Sequence, residues 1–227
     1  MKIVISIGGS LLSKEPIHNS FRKYADVLLR LKRKGHRLIV VCGGGKLARQ
    51  YRDIAKNFTK DREKLDFIGI MATHLNATLM AAILGNNAYL LRWQSLKSAL
   101  KELKRISKDK IVVAAGYDVG VSTDYDTAKF AEAIDADLVI NATNVDGVYS
   151  EDPRKYKNAK KFKKLSYNDF LKIIRKLEQI PGEYRLFDLK GARLLSKMGA
   201  KLIIIDGRNA EKIIKAVEGK HGGTTIE

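Results

Sequence analysis

An α/β sandwich with a largely parallel central sheet is the fold this sequence predicts, and three observations predict it. Short β-branched runs alternate with helical stretches along the chain, several of those runs end in glycine, and only Pro16, Pro153 and Pro181 interrupt 227 residues. Strands alternating with helices need crossover connections, which make neighbouring strands parallel and cover both faces of the sheet. With 45% hydrophobic and 30% charged residues and no low-complexity tract, the chain reads as one globular domain over residues 1–227.

Met1 to Ile7, MKIVISI, is a first strand closed by Gly8-Gly9. Phe21, Tyr24, Ala25, Leu28 and Leu29 then share one helical face, with Asn19 or Ser20 available to cap the start and Gly35 the end. HRLIVVC is a second strand closed by Gly43-Gly44-Gly45, and KLARQYRDIAKNF a helix with Leu47, Tyr51, Ile54 and Phe58 on one side. A helix near 65–84, a strand NAYLLR, a helix near 94–105, a strand KIVVAAG, a helix near 127–136 and a strand ADLVINAT follow. After Pro153 come helices near 167–178 and 188–198, a strand AKLIIID, a helix AEKIIKAVEG and a closing GGTTIE.

No apolar run approaches the roughly 20 residues that span a bilayer, and the N-terminus lacks a secretory signal pattern, so the expected location is the cytoplasm with no membrane partner. The lone Cys42 and four scattered His give neither a disulfide nor a zinc cage, and no residue is assigned to a metal from spacing. A net charge of +18 fits either a polyanion-binding field or a solvated lysine-rich surface around a site for small anions. The basic residues are spread over helices between core-facing apolar residues, which favours the second reading over nucleic acid.

In parallel sheets, ligands bind where strands end and helix N-termini offer free N–H groups. Three strand ends here carry glycine loops, SIGGSLL, CGGGKLAR and AAGYDVG, and Ser10, Lys46 and Arg49 add a hydroxyl and two positive charges. Two of these loops, each opening a helix within the first 45 residues, point to phosphate. The Walker pattern is absent, because Leu47 follows Lys46, and the G-x-G-x-x-A match at 43–48 sits after the second strand, which leaves a dinucleotide oxidoreductase a poor third reading. ATNVDGVYSEDP places Thr143 and Asn144 at a strand tip, Tyr149 as a stacking surface and Asp152-Pro153 as a turn, where a purine and ribose could sit.

IGGS at 7–10, GGGKLAR at 43–49, DFIGIMATHLNA at 66–77, STD at 122–124 and ATNVDGVYSEDP together resemble the amino acid kinase superfamily, and more narrowly its archaeal uridylate (UMP) kinases. The resemblance implies transfer of the γ-phosphoryl group of ATP to a phosphomonoester with Mg²⁺, UMP to UDP in pyrimidine biosynthesis, by a homohexamer. It implies an acceptor-binding part at about 1–140 and a nucleotide-binding part at about 141–227. Gly8, Gly9, Ser10, Gly45 and Arg49 would hold the ATP phosphates, and Thr143, Asn144, Tyr149 and Asp152 would line its nucleoside. Gly44, Asp66 and the loop Tyr117, Asp118, Val119, Gly120, Val121, Ser122 and Thr123 would hold the acceptor. Lys46, Arg49 and Asp124 would serve the transfer, Asp124 by organising basic side chains and metal water. Asp126 reads as a first-turn helix acid.

The family's archaeal acceptor loop resembles GGTHPGHTTD, where this chain reads AGYDVGVSTD, with Asp118 facing an expected anion and Val121 in place of a histidine. The segment PGEYRLFDLKGARLL, from residue 181, also departs from the family's small-residue version. These departures keep two alternatives open: a sister kinase acting on another small phosphomonoester, and a non-catalytic regulatory or nucleic-acid-binding relative.

Overall fold

The computed structural model describes residues 1–14, 16–153, 155–178 and 186–227. The expectation drawn from 181–185 lies outside these residues. Among the described residues, eight strands form one sheet in the order β3-β4-β2-β1-β5-β9-β10-β8. These are β1 (Lys2–Ile7), β2 (Arg37–Cys42), β3 (Ala88–Leu90), β4 (Ile111–Ala114), β5 (Leu138–Thr143), β8 (Lys164–Leu165), β9 (Lys201–Asp206) and β10 (Thr224–Ile226). From β3 to β9 every pairing is parallel; β10 runs antiparallel to β9 and parallel to β8. A separate hairpin pairs β6 (Val148–Tyr149) with β7 (Lys161–Phe162).

Alternation along the strands sorts the core onto two faces. Ile3, Ile5 and Ile7 of β1 point to one side, where they meet Phe21, Tyr24 and Leu28 of α2 (Ile17–Arg33), Met80 and Leu84 of α4 (Arg62–Leu84), and Ile213 of α9 (Glu211–Val217). Val4 points to the other, with Leu96 and Ala99 of α5 (Leu96–Leu103), Phe130 and Ala131 of α6 (Thr123–Ile134), Phe170 of α7 (Tyr167–Glu178) and Leu195 of α8 (Leu189–Met198). Burying both faces is what lets the strands read as continuous apolar runs.

The structure moves two boundaries and adds one helix. The second helix starts at Ile17, with Pro16 rather than Asn19 or Ser20 at its cap position, while Gly35 ends it at φ +82° as expected. The helix expected near 127 begins at Thr123, because the Ser122 hydroxyl accepts from the Tyr125 N–H, so Asp124 and Asp126 lie in its first turn. A short helix α1 (Gly9–Leu12) follows β1 directly.

α3 (Gly45–Ala55) has no buried residue, and the expected face of Tyr51, Ile54 and Phe58 is exposed. Its apolar side faces away from the core. The stretch Arg62–Asn87 is long and apolar enough, by length and composition, to cross a membrane, contrary to the sequence reading. Thr73, His74 and Asn76 interrupt the apolar run without lowering its mean hydropathy below that of a spanning helix. In the fold this stretch contains α4, with Ala77, Met80 and Leu84 packed into the core and Phe67, Met71, Leu75, Leu79 and Ile83 exposed.

Candidate active site

Parallel pairing brings the ends of four strands to one edge of the sheet. Ile7 pairs with Cys42 and Ala142, and Val41 with Ala114, so the loops after β1, β2, β4 and β5 emerge side by side. The first two loops touch through their backbones. A Cβ on Gly9 would overlap the Gly45 nitrogen, and one on Gly45, at φ +62°, would overlap the Gly9 carbonyl. Glycine is required here for close approach, and the approach sets the start of α3 beside that of α1. α3 and α6 both open toward this edge, and their unpaired N–H groups and dipoles favour an anion between them. Lys46 and Arg49, both exposed, stand in the first turns of α3.

A cleft of about 190 Å³ lies between α3, α4 and the loop after β4. Gly44, Thr73, Gly116 and Thr123 line it near the starts of α3 and α6, while Arg52, further along α3, and Asp66, near the start of α4, line its other end. Three buried polar side chains of α4 fix its walls. Asn76 donates to the Gly43 carbonyl at 2.7 Å, the Thr73 hydroxyl accepts from the Gly116 N–H at 2.9 Å, and His74 Nε2 bonds the Gly116 carbonyl at 2.8 Å. A carbonyl can only accept, so that nitrogen carries the proton, and burial lowers the His74 pKa and keeps the ring neutral.

Two carboxyls sit under the same loop. Burial first, and then the neighbouring Asp188, push Asp124 up to about 7. Asp126 is 1% exposed, its Oδ2 accepts from the Tyr117 N–H at 3.3 Å, and its Oδ1 is buried with no partner. Burial, aided by Asp118, Asp124 and Asp188, raises it to about 8 against the pull of the Tyr117 N–H. A buried carboxyl with one unsatisfied oxygen is cheaper to keep protonated.

That arrangement fixes a sign for stability. The folded state holds a proton on Asp126 between the unfolded value of 3.8 and about 8, where the unfolded state has lost it. Stability therefore falls as pH rises through this window. Replacing Asp126→Asn is expected to stabilise the fold by about 1–3 kcal/mol at pH 8.5 relative to its effect at pH 5. Urea denaturation of both proteins at the two pH values checks it; an effect independent of pH would contradict it.

The amino acid kinase family model matches residues 1–206. The chain belongs to the amino acid kinase family. Among this family's members, the chain is 37% identical over 226 residues to the uridylate kinase of Methanothermobacter thermautotrophicus, covering 100% of this chain and 99% of that one. To the uridylate kinase of Pyrococcus abyssi it is 36% identical over 227 residues, covering 100% of both. The crystal structure of uridylate kinase from Archaeoglobus fulgidus superposes with a TM-score of 0.86 at 36% identity over 100% of each chain. The Bacillus anthracis UMP kinase shares the fold, with a TM-score of 0.80 at 22% identity over 100% of this chain and 95% of that one.

Within this amino acid kinase frame, the expected site residues fall into groups. Gly8, Gly9, Ser10, Gly44, Gly45, Lys46 and Arg49 gather at the two touching loops. Gly44, Asp66, Asp118, Val121 and Thr123 share the cleft. Tyr117 turns inward: its ring stacks edge-on against His74 and Phe130, its hydroxyl donates to the Leu91 carbonyl at 3.2 Å, and its backbone N–H donates to Asp126. Val119 and Gly120 are exposed beside it, Gly120 at φ +77°, and Ser122 is spent on capping α6. Asp118 is exposed, and its Oδ1 accepts from the Leu96 N–H at 3.4 Å, next to the start of α5. Thr143 ends β5 and Asn144 follows it, Tyr149 lies on the hairpin with its hydroxyl donating to Asp146 at 2.8 Å, and Asp152 is buried.

Sequence reasoning did not single out Arg52, Thr73, His74, Asn76 or Asp188. A signal for three of them was present, since a T-H-x-N cluster in an otherwise apolar helix has to find buried partners.

Proposed function

We propose that this chain transfers the γ-phosphoryl group of ATP to UMP, forming UDP and ADP, a step of pyrimidine biosynthesis in the cytoplasm. The observation that carries the reading is the full-length likeness to uridylate kinases together with two helix N-termini converging on one cleft. A UMP phosphate oxygen attacks the γ-phosphorus as the bond to the ADP oxygen breaks. The acceptor is already ionised at neutral pH, so positioning and charge neutralisation are the main tasks.

In this reading Gly8, Gly9, Ser10, Gly45 and Arg49 hold the ATP phosphates, and Lys46 adds a second cation. Thr143, Asn144, Tyr149 and Asp152 line the nucleoside of ATP. Gly44, Asp66 and the 117–123 backbone hold the acceptor, which divides the domain near residue 140. Among the described residues no three His, Cys, Asp or Glu side chains are grouped to hold a metal. Mg²⁺, which binds through phosphates with one or two carboxylates and water, fits a site where Asp124 is the carboxylate at hand. When bound it would neutralise phosphate charge.

The Asp118 carboxylate, which suggested a different acceptor, lines the cleft while its Oδ1 accepts from the Leu96 N–H at 3.4 Å, so one of its oxygens has a partner within the chain. ADP release from Mg-ATP measured across UMP, CMP, AMP and other small phosphates tests the assignment. Turnover is expected with UMP above the rest; none with UMP at high enzyme concentration would overturn it.

Self-association belongs to the same proposal, as the hexamer implied by resemblance. Phe67, Met71, Leu75, Leu79 and Ile83 recur every four residues and are 39–59% exposed. From Phe67 to Leu91 the chain has no Asp, Glu, Lys or Arg, although its net charge is +18. A second copy can meet this face without bringing like charges together. Leu75→Glu is expected to lower the oligomeric state at micromolar protein, measured by sedimentation velocity; an unchanged mass would place the interface elsewhere.

A further inference from the structure

Arg52 stands in the cleft without a role in the reading above. Its Nη2 donates to Asp66 Oδ1 at 3.1 Å, its stem lies over Gly69, and its Nε is buried with no hydrogen-bond partner. A guanidinium tethered through Nη2 to Asp66, with its Nε enclosed, keeps its remaining Nη donors for a ligand atom that accepts. It remains partly open to the cleft, with 43% of its side chain exposed.

The position along the cleft says which part of a ligand it meets. Gly44 packs against Ala48, Gly69 and Thr73, at the end where α3 and α6 start. Arg52 lies seven residues beyond Gly45 on α3, about 10 Å at the helical rise, beside Asp66 at the far end of α4's contact with α3. A nucleoside monophosphate with its phosphate between the helix N-termini reaches that far only with its base.

We propose that Arg52 is a specificity-determining residue that reads the base of the acceptor nucleotide through a carbonyl edge. Uracil presents a carbonyl oxygen at C4 where cytosine presents an amino group, and a guanidinium can only donate. Arg52 therefore bonds uracil and sets donor against donor with cytosine, leaving both unpaired. The Asp66 carboxylate acts through it by holding the plane of the guanidinium. The inference rests on the nucleoside monophosphate kinase reading and deepens it.

Steady-state kinetics of the unmodified chain, Arg52→Met and Arg52→Lys with UMP and CMP as acceptors test it. In Arg52→Met the KM for UMP is expected to rise about 10- to 100-fold, with kcat within about threefold and the KM for ATP unchanged. The ratio of kcat/KM for UMP over CMP is expected to fall about tenfold or more, and Arg52→Lys, which keeps the charge but not the fork, to lie between. An unchanged UMP to CMP ratio in an active Arg52→Met or Arg52→Lys overturns the inference and leaves the kinase reading standing. Absence of UMP turnover by the unmodified chain overturns the kinase reading and this inference with it. Two inactive variants with unchanged thermal melting would also count against a role confined to base selection.

Discussion

Asp124→Asn is expected to lower kcat by about two to three orders of magnitude while moving the KM for ATP and for UMP by less than about threefold. The side chain sits in the first turn of α6 with Asp188 as its charged neighbour, and in the proposed reading it faces the transferring group. Asparagine keeps its size and removes its charge. In the proposed reading the substitution removes the anion that would order the basic groups and the metal's water around the transferring group, an interaction felt most as charge spreads over the γ-phosphoryl oxygens. The pH dependence follows from the same carboxyl. Burial and Asp188 hold it near 7 in the free protein, so it is neutral below that pH and charged above. The kcat/KM of the unmodified chain is expected to rise with pH through this region, and the Asp124→Asn profile to be flat there. Equal profiles would remove Asp124 from the transfer step.

Gly45→Ala is expected to cost roughly 3–5 kcal/mol of stability and to abolish detectable nucleotide binding. Two penalties coincide at this position. The backbone lies at φ +62°, where a side chain is strained by about 1–2 kcal/mol, and the new methyl would overlap the Gly9 carbonyl. Relief requires parting the loops after β1 and β2, which in the proposed reading hold the phosphates. Gly35→Ala separates the two effects, because Gly35 lies at φ +82° with nothing within 4 Å of its missing Cβ. It is expected to cost only about 1 kcal/mol and to leave binding intact. Urea denaturation with calorimetric titration of an ATP analogue measures both; similar losses in the two variants would reduce the Gly9–Gly45 contact to ordinary backbone strain.

The architecture was legible because the strand signals in this chain are strong. MKIVISI, HRLIVVC and AKLIIID are β-branched runs punctuated by glycine or a turn, and each became a central strand. The glycine loops were legible for the same reason, and Gly9 and Gly45 meet there at a distance no Cβ would allow. Periodicity misled where exposure is settled by contacts outside one helix. The spacing put Tyr51, Ile54 and Phe58 on one helical side, yet α3 ends at Ala55 before Phe58 and all three are exposed. Spacing shows which residues lie together, not what covers them.

Asp126 shows a second limit. As a first-turn acid it fits a dipole rule, but its carboxyl is buried beneath the loop after β4 and bonded to the Tyr117 N–H. Nothing in the local sequence reports that burial, because it depends on where the loop after β4 folds back. The Arg52 and Asp66 pair was hidden likewise: the two are 14 residues apart and meet only once α3 and α4 pack together.

The central claim is that the strand-end cleft moves phosphate from ATP to UMP, and following the label from γ-labelled ATP tests it most directly. With Mg²⁺ and UMP, the unmodified chain is expected to place the label on the β-phosphate of UDP, and Asp124→Asn to do so about a hundredfold or more slowly. Label appearing only in inorganic phosphate, or on UDP at the same rate in both proteins, would contradict the account.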